Sequence, residues 1–421
     1  MNVALVPAEE KIRPLGISVA TVGVVVSALL IYVTGSFLLA ELFGIKRESE
    51  GFLLVPLAVA ASYLLVSRPE RVFNPLILFV IIKLVTEVAL RGDVRYVMDS
   101  VATVLALLVL IAAPARSFEV GARLVVTLAG VLAFIALLQW TILIVDPQLS
   151  RFVLHLQDDS DNVNLTVQHP IAFLGFIGDT QYTLLGQSVG RMQSFAKEPS
   201  LNVVYFMLPA ALAFLLDSGA MALWGCIILA FSVLSLSGSV FLSLAFSAVW
   251  WVLLRFVPIR FALPYGMLAL LLVFIATLFS FGSDPLVEAI SVLTQYGDFL
   301  SKSESLASRS SGAIGNVTLA LASPLGGSAL SDIPGPMLVN AGLAAGWLGV
   351  LLLLIFFRRL GRELEIFSAH SPAGGARRIG VYLFIGSIAT VLVFNDYQMG
   401  NYAGLVQLAF IYRLITLRNT A

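Results

Sequence analysis

Residues 218–254 read SGAMALWGCIILAFSVLSLSGSVFLSLAFSAVWWVLL, a run without one charged side chain. As a single helix it would reach about 55 Å, well beyond the ~30 Å hydrocarbon core of a bilayer. Small turn formers cluster at Ser237-Gly238-Ser239, and such clusters punctuate helices. The run therefore predicts two helices folded into a hairpin.

Outward from that hairpin the same unit recurs. Charge-poor segments fall at about 15–40, 51–67, 72–90, 97–114, 121–145, 199–216, 219–236, 239–256, 261–282, 335–357, 378–394 and 398–416. Each is close to the ~20 residues that a membrane-spanning helix needs. Composition agrees, since 59% of the 421 residues are hydrophobic and only 12% are charged, about half the charge of a soluble chain. The expectation is an all-α polytopic membrane protein of about twelve transmembrane helices, forming one membrane domain over 1–421. Lys11 and Arg13 precede an apolar run longer than the core of a signal peptide, which predicts a retained first helix. Cys226 is the single cysteine, so disulfides and cysteine metal sites are excluded. Equal numbers of basic and acidic residues argue against a nucleic-acid partner.

Twelve spans put both termini on one side. That side collects fifteen basic residues: Lys11, Arg13, Arg68, Arg71, Arg116, Arg123, Arg255, Arg260, Arg358, Arg359, Arg362, Arg377, Arg378, Arg413 and Arg418. The other side holds nine: Lys46, Arg47, Arg91, Arg95, Arg151, Arg191, Lys197, Lys302 and Arg309. The positive-inside rule makes the richer side cytoplasmic. Two long loops, 146–198 and 283–334, then lie outside, and loops of that length are usually functional. Their apolar stretches, Ile171 to Ile177 and Ala313 to Leu325, predict packed or re-entrant pieces. The stretch 358–378, with Ser371, Pro372, Gly374 and Gly375, reads as a plain linker.

Chemistry concentrates in the two loops. The first ends Gly190-Arg191-Met192-Gln193-Ser194-Phe195-Ala196-Lys197-Glu198-Pro199-Ser200, at the mouth of a spanning segment. The second carries Ser308-Arg309-Ser310-Ser311-Gly312 and then Ser323-Pro324-Leu325-Gly326-Gly327-Ser328. An arginine near the outer surface suits a lipid-linked diphosphate, because its planar fork meets phosphate oxygens bidentately at any relevant pH. Snorkelling to headgroups is the competing role. Glu198 before Pro199 suits either the first turn of a helix or a general base that deprotonates an attacking hydroxyl. Lys83 and Glu87, four apart on one helix, are intramembrane ionisable groups that can pair structurally or serve function. Asp158-Asp159-Ser160-Asp161-Asn162 lacks the glycine and distal glutamate of a calcium loop. Asn164-Leu165-Thr166 and Asn316-Val317-Thr318 match the glycosylation sequon. No internal repeat, phosphate loop, nucleophile elbow or zinc motif is present.

This layout resembles the Wzy-type O-antigen and exopolysaccharide polymerases, which share a superfamily with the O-antigen ligases. The resemblance rests on Arg191 with Phe195-Ala196-Lys197-Glu198-Pro199-Ser200, on Ser308-Arg309 with Ser323-Pro324-Leu325-Gly326-Gly327, and on Gly342-Leu343-Ala344-Ala345-Gly346-Trp347-Leu348-Gly349. It covers residues 185–357; the first five helices match only in count and polarity. Polymerases often carry a glycine eleven residues after each loop arginine, where this chain has Asn202 and Ala320. Ligases typically carry a His-Asn pair where it has Ile333-Pro334-Gly335-Pro336, which favours polymerase over ligase.

The resemblance implies a GT-C-like glycosyltransferase bundle in the bacterial inner membrane. It implies metal-independent, cofactor-free, inverting transfer of a glycan from undecaprenyl diphosphate to a sugar hydroxyl at the outer face. Arg191 and Arg309 would hold the diphosphate, Lys197 and Asp396 would contact substrate, and Glu198 would be the base, with Asp332 or Asp396 as substitutes. A chain-length regulator protein is an implied partner alongside the bilayer. An O-antigen ligase is one alternative. A lipid-linked oligosaccharide flippase or secondary transporter is another, although such proteins commonly show repeats and mid-membrane polar groups.

The charge bias predicts Ser160 outside and Ser368 inside. In a Cys226→Ser background, Ser160→Cys should react with a membrane-impermeant thiol reagent in intact spheroplasts and Ser368→Cys should not. Reversed labelling would put both loop arginines in the cytoplasm.

Overall fold

The computed structural model describes residues 18–35, 51–67, 74–90, 94–145, 154–155, 170–172, 175–184, 187–194, 202–235, 237–281, 315–326, 336–369, 375–394 and 402–420. The helices, in chain order, are α1 (Val19–Gly35), α2 (Gly51–Ser67), α3 (Pro75–Leu90), α4 (Val94–Ala112) and α5 (Ala115–Val145). There follow α6 (Val203–Met207 continued by Leu208–Leu215), α7 (Gly219–Leu234), α8 (Gly238–Leu253) and α9 (Ile259–Phe261 continued through Met267–Phe281). A short helix at 315–322 (α10) precedes α11 (Met337–Ala369), α12 (Ala376–Phe394) and α13 (Tyr402–Thr420).

Each of the twelve apolar segments predicted from sequence contains one helix, and the hairpin at Ser237-Gly238-Ser239 turns between α7 and α8 as expected. Two helices among the described residues, over Ala115–Ile142 and Met337–Ala369, are long and apolar enough to cross a membrane, and eight shorter apolar helices accompany them. Large apolar side chains stand exposed on many of these helices, among them Val66, Val145, Leu223 and Val273. Patches of that kind need a non-aqueous cover, and the architecture is consistent with a helical membrane protein.

Polar bonds gather the chain reversals at one end of the bundle. Arg377 Nη2 lies 2.8 Å from Asp217 Oδ2, joining the end of α6 to the start of α12. The Arg260 backbone N–H donates to Glu365 Oε2 over 3.3 Å, and Asn419 Nδ2 donates to the Glu363 carboxylate over 2.9 Å. At this end Ser18 and Ser218 cap the first turns of α1 and α7, accepting from the Thr21 and Met221 N–H groups, and Asn74 accepts from the Leu76 N–H at the start of α3. Such caps satisfy amides that the helix itself cannot. Here α6, α11 and α13 end while α7 and α12 begin. Helices α6 and α13 therefore run parallel, with their N-terminal turns at the opposite end.

One expectation is corrected at this end. The stretch 358–378 is not a plain linker: α11 continues to Ala369, because strong helix formers extend to Phe367 and the first breakers come at Ser371-Pro372. Arg413, grouped in the sequence with the basic residues of one side, lies at this end of the bundle. It is buried in α13, where Nη2 donates over 2.9 Å to the Ala113 carbonyl just beyond α4, complementing the negative end of that helix.

Both long loops contain ordered structure. Within 146–198, strands β1 (Leu154–His155), β2 (Pro170–Ala172), β3 (Gly175–Leu184) and β4 (Gln187–Ser194) form an antiparallel sheet in sequential order. Of the apolar piece Ile171 to Ile177, expected to be packed or re-entrant, the described residues 171–172 and 175–177 are strand. Within 283–334, α10 and the turn after it lie along α11. Asn316 Nδ2 donates to Asn340 Oδ1 over 3.4 Å, and a Cβ on Gly342 would sit 3.5 Å from that of Ala320. Buried in that contact, Asn316 does not offer the exposed amide that its sequon match requires.

The turn 323–326 enters a break in α11. Gly346 has φ 64° and ψ −169°, a conformation essentially restricted to glycine. A Cβ there would meet the Pro324 carbonyl oxygen at 2.5 Å. Gly326, at φ 80°, faces it with equally little room. Gly346→Ala should therefore cost roughly 1–3 kcal/mol from backbone strain alone and displace the turn. Thermal unfolding in detergent should show a midpoint several degrees lower; an unchanged midpoint would contradict the seated turn.

Candidate functional site

The candidate site begins on β4. Arg191 pairs with Gly178 of β3, and register shifts interrupt the ladder between Phe176 and Ile177 and between Gly178 and Gln181. Irregularities of this kind bend a strand and re-aim its residues. Strands β3 and β4 pack on α5. The strand ends at Ser194, which is buried, holds φ 60°, and has no hydrogen-bond partner for its Oγ. Positive φ in a residue other than glycine is uncommon and costs energy. Of the residues expected to do chemistry, Arg191 is located by its backbone; Lys197, Glu198, Arg309 and Asp396 lie outside the described residues, as do Asp158-Asp159-Ser160-Asp161-Asn162 and the Glu87 side chain.

The chain resumes at Asn202, whose backbone opens α6. Its side chain is fully buried, and neither amide atom has a partner. The first turns of α6, Val203–Met207, are π-helical. Pro209 explains the widening: it has no N–H for the Tyr205 carbonyl and its ring crowds that position. The Leu208 N–H instead reaches five residues back to Val203. Single π-turns recur at functional sites. This segment packs directly on α13 and α12.

Around it stand three buried tyrosines. The Tyr402 hydroxyl donates to the Ser27 carbonyl over 3.0 Å and the Tyr32 hydroxyl to the Val125 carbonyl over 2.8 Å. Tyr205 lies close enough to Tyr32 for the two phenols to interact electrostatically. Gln407, in the second turn of α13, is buried with both amide atoms unpartnered.

The second loop supplies a separate polar junction. The Trp347 N–H, released by the break at Gly346, donates to the Pro324 carbonyl over 3.0 Å. The Ala344 carbonyl, released on the other side, accepts from Thr86 Oγ1 at 2.6 Å. Thr86 is one turn beyond Lys83 on α3, so the ionisable position noticed in the sequence lies beside this junction. The motifs Ser323-Pro324-Leu325-Gly326 and Gly342 to Gly349, distant in sequence, are in backbone contact here.

In the sequence Asn202 stands out only as a departure from the family glycine, and Gln407, Thr86 and the tyrosines carry no charge to mark them within apolar runs. Isolated amides and hydroxyls in such runs were the available signal. No protein-family model matches the chain, and no curated protein sequence matches it significantly.

Proposed function

We propose that this chain is a glycosyltransferase of the bacterial inner membrane. It polymerises undecaprenyl-diphosphate-linked oligosaccharide repeat units into O-antigen or exopolysaccharide. In this reading the twelve long helices span the bilayer in a GT-C-like bundle, both termini are cytoplasmic, and the two loops face outward. The observation that carries the proposal is the seating of Pro324–Gly326 in the break of α11 at Gly346. That contact joins the second-loop motif to the glycine-rich helix with which it forms the family resemblance. It also anchors the loop only fifteen residues after Arg309.

In the proposed reaction the acceptor hydroxyl oxygen attacks the anomeric carbon of the donor glycan. The bond from that carbon to the diphosphate oxygen breaks, and undecaprenyl diphosphate leaves with inversion. Glu198 takes the hydroxyl proton. Arg191 and Arg309 neutralise charge growing on the leaving diphosphate, the kind of stabilisation that contributes most when donors are fixed in advance. Lys197 and Asp396 contact substrate.

One feature favours transport as a second reading: a discontinuous spanning helix is typical of secondary transporters. In those proteins the freed backbone groups face the cargo. Here Pro324 and Thr86 occupy the released N–H and carbonyl, which weakens that reading.

Purified protein in nanodiscs, supplied with the lipid-linked repeat unit, tests the proposal. Arg191→Lys and Arg309→Lys keep charge but lose the bidentate fork, and each should abolish or sharply shorten the polymer. Glu198→Gln should slow transfer by about 10²-fold or more if the carboxylate is the base. Wild-type chain lengths in both lysine variants would overturn the diphosphate clamp. A Gln variant within about threefold of wild type would remove Glu198 from the mechanism.

A further inference from the structure

We infer that Asn202 and Gln407 read the neutral sugar of the substrate, forming an internal subsite between α6 and α13 for hydroxyl or acetamido groups. The inference rests on the glycosyltransferase reading and names what would recognise the glycan as distinct from the diphosphate.

Burial is the first argument. Asn202 is 0% exposed and Gln407 1% exposed, yet all four of their side-chain polar atoms lack a partner. Buried polar groups are nearly always hydrogen-bonded, and exceptions call for a reason. Buried polar residues of α13 and of the helices packed around it and α6 follow the rule. Ser27 and Tyr402 are bonded, as are Ser243, Ser387 and Thr390. The other unpartnered atoms are of different kinds: Arg377 Nε and Arg413 Nε belong to guanidiniums bonded elsewhere, and Ser194 Oγ and Trp250 Nε1 are single atoms. Among the described residues, whole side-chain amides without partners occur at these two positions.

Placement is the second argument. The π-helical start of α6 packs on α13, and the two helices run parallel with their first turns at the same end. Asn202 precedes that π-segment, and Gln407 lies five residues into α13. Asn202 is the fourth residue after Glu198 in the chain, so the proposed sugar reader follows the proposed base closely in sequence.

Chemistry is the third. A carboxamide offers two N–H donors and an oxygen with two lone pairs, matching the paired donors and acceptors of vicinal hydroxyls or an acetamido group. It carries no charge to offset a phosphate. The buried cation of α13, Arg413, is committed to the Ala113 carbonyl at the far end of the helix.

The test uses full-length protein in nanodiscs with Asn202→Leu and Gln407→Met, which keep approximate shape and remove the amides. Two probes are compared by thermal shift: the undecaprenyl-diphosphate-linked oligosaccharide extracted from the host, and undecaprenyl diphosphate without glycan. Without ligand, both variants should melt at or above the wild-type temperature, because an unsatisfied buried amide has been removed. The glycan-bearing lipid should raise the wild-type midpoint more than the bare lipid does, and the variants should lose that difference. In the polymerisation assay KM should rise at least about tenfold with a smaller change in kcat. Variants that melt well below wild type would overturn the inference, since the amides would then be holding the fold. Variants that keep the full glycan-dependent shift and wild-type KM would also overturn it while leaving the polymerase reading intact. Equal shifts from both lipids in the wild type would remove the sugar subsite, and absence of any shift would remove the lipid-linked substrate as well.

Discussion

A backbone amide in hydrocarbon has no water to turn to, and each one left unpaired costs several kcal/mol. That constraint runs through the whole molecule. It makes helix the form of every long apolar segment, and it leaves trouble only where a helix is interrupted. At Gly346 the interruption is answered from two directions, by the Pro324 carbonyl and the Thr86 hydroxyl. At Pro209 it is answered within the helix, by a π-turn that moves the Leu208 N–H to Val203. At the polar end it is answered by Ser18, Asn74, Ser218 and the Arg413 guanidinium.

The same constraint gives the exceptions their meaning. Among the described residues, a chain that repairs its backbone this thoroughly leaves two side-chain amides bare, at Asn202 and Gln407. It also holds Ser194 at positive φ where β4 ends, nine residues before α6 begins its π-turn. The strand carrying Arg191, the buried amides and the tyrosine cluster belong to adjoining elements: β4, α5, α1, α6 and α13. The second loop reaches the bundle separately, through a backbone contact that only glycines at 326 and 346 permit.

Most of the helical frame was legible in the sequence, because hydrocarbon thickness dictates segment length and charge marks the ends. The hairpin in 218–254 could be placed from Ser237-Gly238-Ser239 alone. Helix α11 outran its predicted end at Phe357 because its last turns are held by contacts such as Asn419 with Glu363, which hydropathy does not register. Arg413 lies at the end of the bundle where its sequence grouping put it, but its burial and its carbonyl partner at Ala113 are tertiary facts. The sheet in the first loop was missed because the strands are short and their pairing is a tertiary fact. For the site, sequence identified the loop positions by charge; Asn202 appeared there only as a departure from a family glycine, and Gln407 and Thr86 not at all, because their importance lies in what surrounds them.

The central claim is that the chain joins repeat units into long glycans outside the membrane. Deleting the gene in its host and sizing the surface glycans by gel electrophoresis tests it most directly. The account predicts loss of long chains with single repeat units retained on their lipid acceptor, restored by the wild-type gene supplied in trans. An unchanged chain-length distribution would contradict it. Loss of every repeat from the acceptor would contradict it in favour of ligation, and accumulation of glycan only inside the cell would favour export.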